Sequence, residues 1–125
     1  MQLFLIIFNY LDKYMKKNKF NAVKTVIDGI KFDSKKESLR YSELKIYEKG
    51  GLISDLRLQV TYQLIEPMRI NGKHHRAICY IADFVYYDTV HKCEVVEDVK
   101  GMITDIFRIK LRLMKQVHNI EIKIT

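Results

Sequence analysis

Cysteine is scarce in this 125-residue chain: Cys79 and Cys93 are the only two, and they form no C-x-x-C pair. That argues against a cysteine zinc site and for a reducing cytosol, with both thiols expected as small core residues. The four histidines (His74, His75, His91, His118) show no metal-ligand spacing on a helix, and His74-His75 after Asn71-Gly72 reads as a loop. Pro67 is the sole proline, and no repeat or low-complexity segment breaks the chain. The apolar run that opens it, "LFLIIF", lasts six residues, against the roughly 20 needed to cross a bilayer. Nor does it have the preceding positive charges and small-residue cleavage site of a signal peptide. It reads as a packing or dimerising segment, or as a product of start-site choice. "MKKNKF" from Met15 looks like a natural beginning, so residues 1–14 are expected to be an extension and 15–125 the domain.

What is abundant is positive charge. Lys and Arg number 22 against 15 Asp and Glu, a formal +7, and the pI is near 9.4. With 48% apolar and 30% charged residues, one globular domain is implied. Its excess favours polyanions, nucleic acid first and an anionic membrane surface second. From Lys13 to Lys24 there are five lysines and no acid, and Arg108, Lys110, Arg112, Lys115 and Lys123 follow Gly101. Lys16, Lys17 and Lys19 of the first group, with Arg108 and Thr104 near the second, are candidate phosphate contacts. A solvated arm that only aids solubility is the alternative.

Hydrophobic periodicity gives the element order. "FDSKKESLRYSELKIYEKGG" is the clearest helix: Ser34 and Glu37 form a capping box, and Gly50-Gly51 supply the stop. Glu37, Tyr41 and Leu44 share one face, with the remaining charges expected to point elsewhere. "DLRLQVTYQLI" (55–65) is a strand, "EPMRINGKHH" a loop and "RAICYIADFVYY" (76–87) a second strand. "DTVHK" then turns the chain into "CEVVEDVKG", giving an antiparallel hairpin. "DIFRIKLRLMKQV" fits a strand or a helix, and length favours the helix. Its apolar side would hold Ile106, Phe107, Leu111, Leu113, Met114 and Val117, with Lys110 in the middle. "NIEIKIT" closes as a strand. The expected class is α/β, a small mixed sheet flanked by helices.

"VVEDVKG" poses the chemical question, because Glu97, Asp98 and Lys100 stand in a strand that should be buried. Burying such charges costs several kcal/mol each unless they are paired or bind a metal. Alternation places Val96, Asp98 and Lys100 on one face and Val95, Glu97 and Val99 on the other. Asp83 on the adjoining strand can approach the first set. Two carboxylates beside an ammonium suit a hard divalent cation with oxygen ligands, and such an ion serves phosphoester hydrolysis. Glu97, on the opposite face, would partner a basic helix side chain or lie at an edge. Structural salt bridging is the alternative for the Asp83, Asp98 and Lys100 group.

Asp83, fourteen intervening residues and Asp98-Val99-Lys100 resemble the D…(D/E)-x-K signature of the PD-(D/E)XK nuclease superfamily, with Ala82 where a proline is usual. The expected order of helix, three strands, helix and strand is that superfamily's restriction-endonuclease-like αβββαβ core. "NKFNAVKTVIDGIKFDSKKESLRYSELK", "YIADFVY", "VVEDVKG" and "FRIKLRLM" further resemble short phage and prophage proteins within it, linked to Holliday-junction-resolvase-like endonucleases. The likeness runs from about Lys17 to Thr125. It departs at Leu111, where a second basic residue is usual, and at Gln59-Val60, where "QP" is usual.

This resemblance implies that Asp83 and Asp98 ligate Mg2+ or Mn2+ with the Val99 carbonyl, and that Lys100 positions water or stabilises phosphoryl charge. Glu37 would be the first-helix acid brought to the metal, unless it serves the capping box alone. Gln59 is a further candidate, with an ordinary edge glutamine as the alternative. Lys110 would be the second-helix base that reaches the site, unless it snorkels to solvent. The expectation is a cytoplasmic, metal-dependent DNA endonuclease of a phage or prophage, without organic cofactor or membrane span. Symmetric nicking calls for a two-fold homodimer, built on "LFLIIF" or the first helix. A non-catalytic nucleic-acid-binding module is the second reading, and membrane-surface binding by the basic N-terminal segment the third.

Overall fold

Helix α1 (Lys35–Lys49) begins where Ser34 stops being helical: its backbone is extended and its Oγ accepts the Glu37 N–H at 3.1 Å. This satisfies one of the amides that a helix start leaves without a partner. The helix ends at Gly50, followed by Gly51 in the left-handed region at φ +76°. Its buried side mixes Tyr41, Leu44 and Ile46 with Ser38 and Ser42, whose hydroxyls bond the Lys35 and Ser38 carbonyls. Polar residues therefore lie against the sheet with their hydrogen bonds made within the helix.

A computed structural model of the chain describes residues 25–125. Lys16, Lys17, Lys19, "LFLIIF" and the expected start near Met15 lie outside the described residues. Before α1 come β1 (Thr25–Ile27) and β2 (Ile30–Phe32), an antiparallel pair turned by Asp28 and Gly29, both at positive φ. After α1 the chain runs through β3 (Ile53–Ile65), β4 (Met68–Ile70), β5 (Lys73–His75), β6 (Ile78–Asp88) and β7 (Cys93–Asp98). Helix α2 (Asp105–His118) and β8 (Lys123–Ile124) complete it. The main sheet has the order β3-β6-β7-β8, antiparallel except for the parallel β7/β8 pair. The architecture is mixed α/β, with α1 and α2 packed into separate clusters of core residues.

Several expectations are corrected. The segment 66–75 is not a loop: β4 and β5 pair through an Asn71-Gly72 turn with both residues at positive φ, the geometry that closes tight hairpins. His74 and His75 accordingly lie in β5. Neither cysteine is in the core, since Cys79 is half-buried and Cys93 starts β7 exposed. On α2 only Phe107 and Met114 are fully buried, whereas Ile106 and Val117 are exposed. At 100° per residue, Phe107 and Met114 stack on one narrow contact line, and Ile106 and Val117 fall well to its side. The charges of α1 do not all point away either, because Arg40 turns into the protein.

Arg40 meets Glu97 of β7, which is 0% exposed. The guanidinium donates twice, Nε to Oε2 at 2.6 Å and Nη2 to Oε1 at 2.9 Å. Tyr86 adds its hydroxyl at 2.7 Å. Burial alone would raise the Glu97 carboxyl, but these donors outweigh it and hold it below its usual range. The helix-facing partner expected for Glu97 is thus Arg40. Arg40→Met leaves that carboxylate buried without its counter-ion and is expected to cost about 3–5 kcal/mol in urea unfolding. Restoration of much of that loss in the Arg40→Met/Glu97→Met double variant would confirm the cause, and an unchanged midpoint in the single variant would refute it.

Candidate active site

The site follows from a change of face in β3 and β6. Leu56 and Leu58 of β3 and Phe84 and Tyr86 of β6 pack into the α1 cluster. Val60 and Tyr62, and Tyr80 and Ala82, pack into the α2 cluster. Alternation would keep all the even-numbered residues on one side, so both strands swap sides at Gln59 and Asp83. Pairing continues from Leu58↔Phe84 to Val60↔Ala82, and Gln59 takes φ +53°. A non-glycine residue there carries about 1–2 kcal/mol of strain, and such strain gathers at functional positions.

Asp83 and Asp98 face each other across the swap. The Asp83 Oδ2 accepts the Val99 N–H at 2.8 Å, which ties the two strands together next to the Val99 carbonyl. Asp98 is 1% exposed, and its buried Oδ2 has Lys100 Nζ at 2.9 Å but no well-angled hydrogen bond. Lys100 in turn lies 4.5 Å above the Phe107 ring centre. Glu37 reaches the rim from α1. Its carboxylate does not complete the capping box; it takes Gln59 Nε2 at 3.4 Å, and the same amide lies 3.4 Å from Asp83 Oδ1.

Electrostatics mark the pair. Burial, then Asp98, push the Asp83 carboxyl up to about 7, against the Val99 N–H, which lowers it. Burial, with Asp33 and Asp98, also raises Glu37. The Tyr80 hydroxyl is buried without a hydrogen-bond partner, and burial with the two aspartates raises it as well. Among the described residues no three His, Cys, Asp or Glu side chains converge as a metal cage. Two acids, one with a buried oxygen that meets an ammonium but no well-angled hydrogen bond, nonetheless fit Mg2+, which is held by one or two carboxylates and keeps several waters.

The other candidates form no hydrogen bond or ion pair with Asp83 or Asp98 among the described residues. Thr104 caps α2, its Oγ1 accepting the Phe107 N–H at 3.1 Å. Arg108 is exposed and pairs with Asp105 at 2.9 Å. Lys110 is half-buried on the flank of the α2 contact line and makes no ion pair among the described residues. Sequence reasoning missed Lys36 and Thr125. The Lys36 ammonium donates to the carbonyls of Lys100 and Thr125, both at 3.0 Å. The Thr125 backbone brackets the signature, its N–H on the Asp98 carbonyl and its carbonyl on the Lys100 N–H. Only the positive charge of Lys36 hinted at this, because its two contacts span 64 and 89 residues.

A raised carboxyl binds its proton more tightly in the folded state. Stability from Asp83 is therefore fully present below about pH 4 and is lost as pH rises through about 7. Asp83→Asn is expected to abolish that decline in metal-free buffer. After discounting for solvent screening, it should raise the melting temperature at pH 8 by about 3–6 °C, the worth of roughly 1 kcal/mol. Thermal melts from pH 4 to pH 8 check this; parallel curves for the two proteins would contradict it.

Among the described residues no helix is long and apolar enough to cross a membrane. Neither the curated proteins nor the solved structures contain a match to the chain. A family model matches residues 17–125, and by that match the chain belongs to the family described as "Protein of unknown function (DUF1064)".

Proposed function

We propose that the chain is a divalent-metal-dependent DNA endonuclease with a restriction-endonuclease-like core, acting on branched or recombination-intermediate DNA. The observation that carries this reading is the convergence of Asp83 and Asp98, from adjacent strands, beside the Lys100 ammonium. Mg2+ or Mn2+ held by the two aspartates would supply Lewis-acid polarisation of a phosphoryl oxygen and a more acidic water. Lys100, partly exposed and anchored through Asp98, Phe107 and its own backbone, places a fixed positive charge where phosphoryl oxygens gain negative charge. Without the ion, burial and Asp98 raise the Asp83 carboxyl to about 7, and a bound cation would favour its ionised form. Glu37 and Gln59 form the polar rim, where a water or a scissile phosphate can be oriented. The net charge of +7 favours approach of a polyanion. Cutting two strands symmetrically would need a two-fold dimer.

A second reading, a nucleic-acid-binding module that keeps the fold without catalysis, is favoured by one observation. Among the described residues two acids meet at the centre, and the Glu37 carboxylate takes its hydrogen bond from Gln59. Nicking of supercoiled plasmid and of a four-way junction with Mg2+ or with EDTA separates the two. Mg2+-dependent nicking is expected, reduced about 100-fold or more in Asp98→Asn and Lys100→Met and about tenfold in Glu37→Gln. Cleavage indifferent to EDTA and to Asp98→Asn would remove the enzyme reading. Tight binding without cleavage would establish the second.

A further inference from the structure

Between β3 and β6 the chain leaves the main sheet as the β4–β5 hairpin. Its cross-strand pairs are Met68↔His75, Arg69↔His74 and Ile70↔Lys73. Directly opposed residues share a face. Met68, Ile70, Lys73 and His75 therefore line one side of the ribbon, with Arg69 and His74 on the other. All six are exposed, Met68 by 44% and Ile70 by 47%. An isolated two-stranded hairpin is marginal in water, so a ribbon bare on both faces gains most from a partner.

The charge indicates which partner. Arg69, Lys73 and Arg76 stand against Glu66 alone between positions 66 and 76. None of the three makes an ion pair among the described residues, and Arg69 bonds only the Gly72 carbonyl, at 3.3 Å. Arg57 on the main sheet, by contrast, is neutralised by both Asp55 and Glu94. A two-stranded ribbon is also a shape that the major groove of duplex DNA admits. Its base is close to the site in chain terms. Asp83 lies five positions along β6 from Ile78, about 17 Å of strand, or roughly half a turn of duplex.

We propose that the β4–β5 ribbon is a duplex-DNA-gripping arm. Arg69 and Lys73, on opposite sides of the ribbon, and Arg76 at its base meet the phosphates that wall the groove it enters. This rests on the reading of the chain as DNA-acting and adds where duplex beyond the Asp83–Asp98 centre is held. Binding of the full chain to a short labelled duplex in EDTA, followed by anisotropy across a salt series, tests it apart from cleavage. The Arg69→Ala/Lys73→Ala/Arg76→Ala variant should bind about tenfold or more weakly, and its dependence of log Kd on log salt should be shallower by about 0.9 per lost contact. Arg57→Ala, at a cation already neutralised by Asp55 and Glu94, should bind as the unaltered chain does. Arg69→Lys/Arg76→Lys should keep most of the affinity, and matched melting curves exclude misfolding. Unchanged affinity and salt slope in the triple variant would overturn the arm, as would absence of duplex binding by the unaltered chain. A variant that lost self-association in sedimentation while keeping its DNA affinity would make the ribbon a protein contact instead. If the arm's cations prove necessary for binding while Mg2+ yields no nicking, the arm stands and the nuclease reading falls.

Discussion

A carboxylate with no exposed surface, gripped at both oxygens by a guanidinium, sets the geometry of this fold. Glu97 takes two bonds from Arg40 and one from Tyr86, with Lys123 of β8 also nearby at 3.8 Å. The group has two stable options, full pairing on the α1 side or water, and the fold provides the first. Once Glu97 points at α1, the two-residue period of a strand sends Asp98 to the opposite face. The network thus fixes more than one helix against one sheet. It decides which of two adjacent acids is available for chemistry.

The second constraint opposes the first. Asp98 is as deeply buried as Glu97 but has one ammonium where Glu97 has a guanidinium and a phenol. Asp83 lies against it, and the price of that proximity is an aspartate carboxyl raised to about 7. Gln59 sits at the same point in a left-handed backbone conformation, where two strands exchange faces together. Strain and under-compensated charge coincide within one pair of residues on β6 and β7 and their neighbour on β3. Local rules are broken in concert here, the pattern expected where a protein gives up stability for function.

Much of this was legible beforehand. Ser34 and Gly50-Gly51 bounded α1, alternation separated Asp98 from Glu97, and length decided that 105–118 is a helix. Two hairpins went unread although their turn residues were visible: Asp28-Gly29 and Asn71-Gly72 are strong signals for two-residue turns. The exposed Ile106 and Val117 were misplaced because a helical wheel gives the apolar arc and not the width of the surface that covers it. The Glu37 carboxylate was split between two roles, and the structure directs it to Gln59 and away from its own cap.

The sequence by itself determined the α/β class, the helix boundaries and the opposed directions of Glu97 and Asp98, since each depends on contacts or periodicities spanning a few residues. Tertiary structure alone decided that Arg40 is the buried counter-ion, that β3 and β6 swap faces at Gln59 and Asp83, and that Lys36 and Thr125 clasp the Asp98–Lys100 segment. The Arg40 and Lys36 contacts join residues 57 to 89 positions apart. Which distant groups meet depends on how whole elements pack, and no local pattern of side chains encodes it.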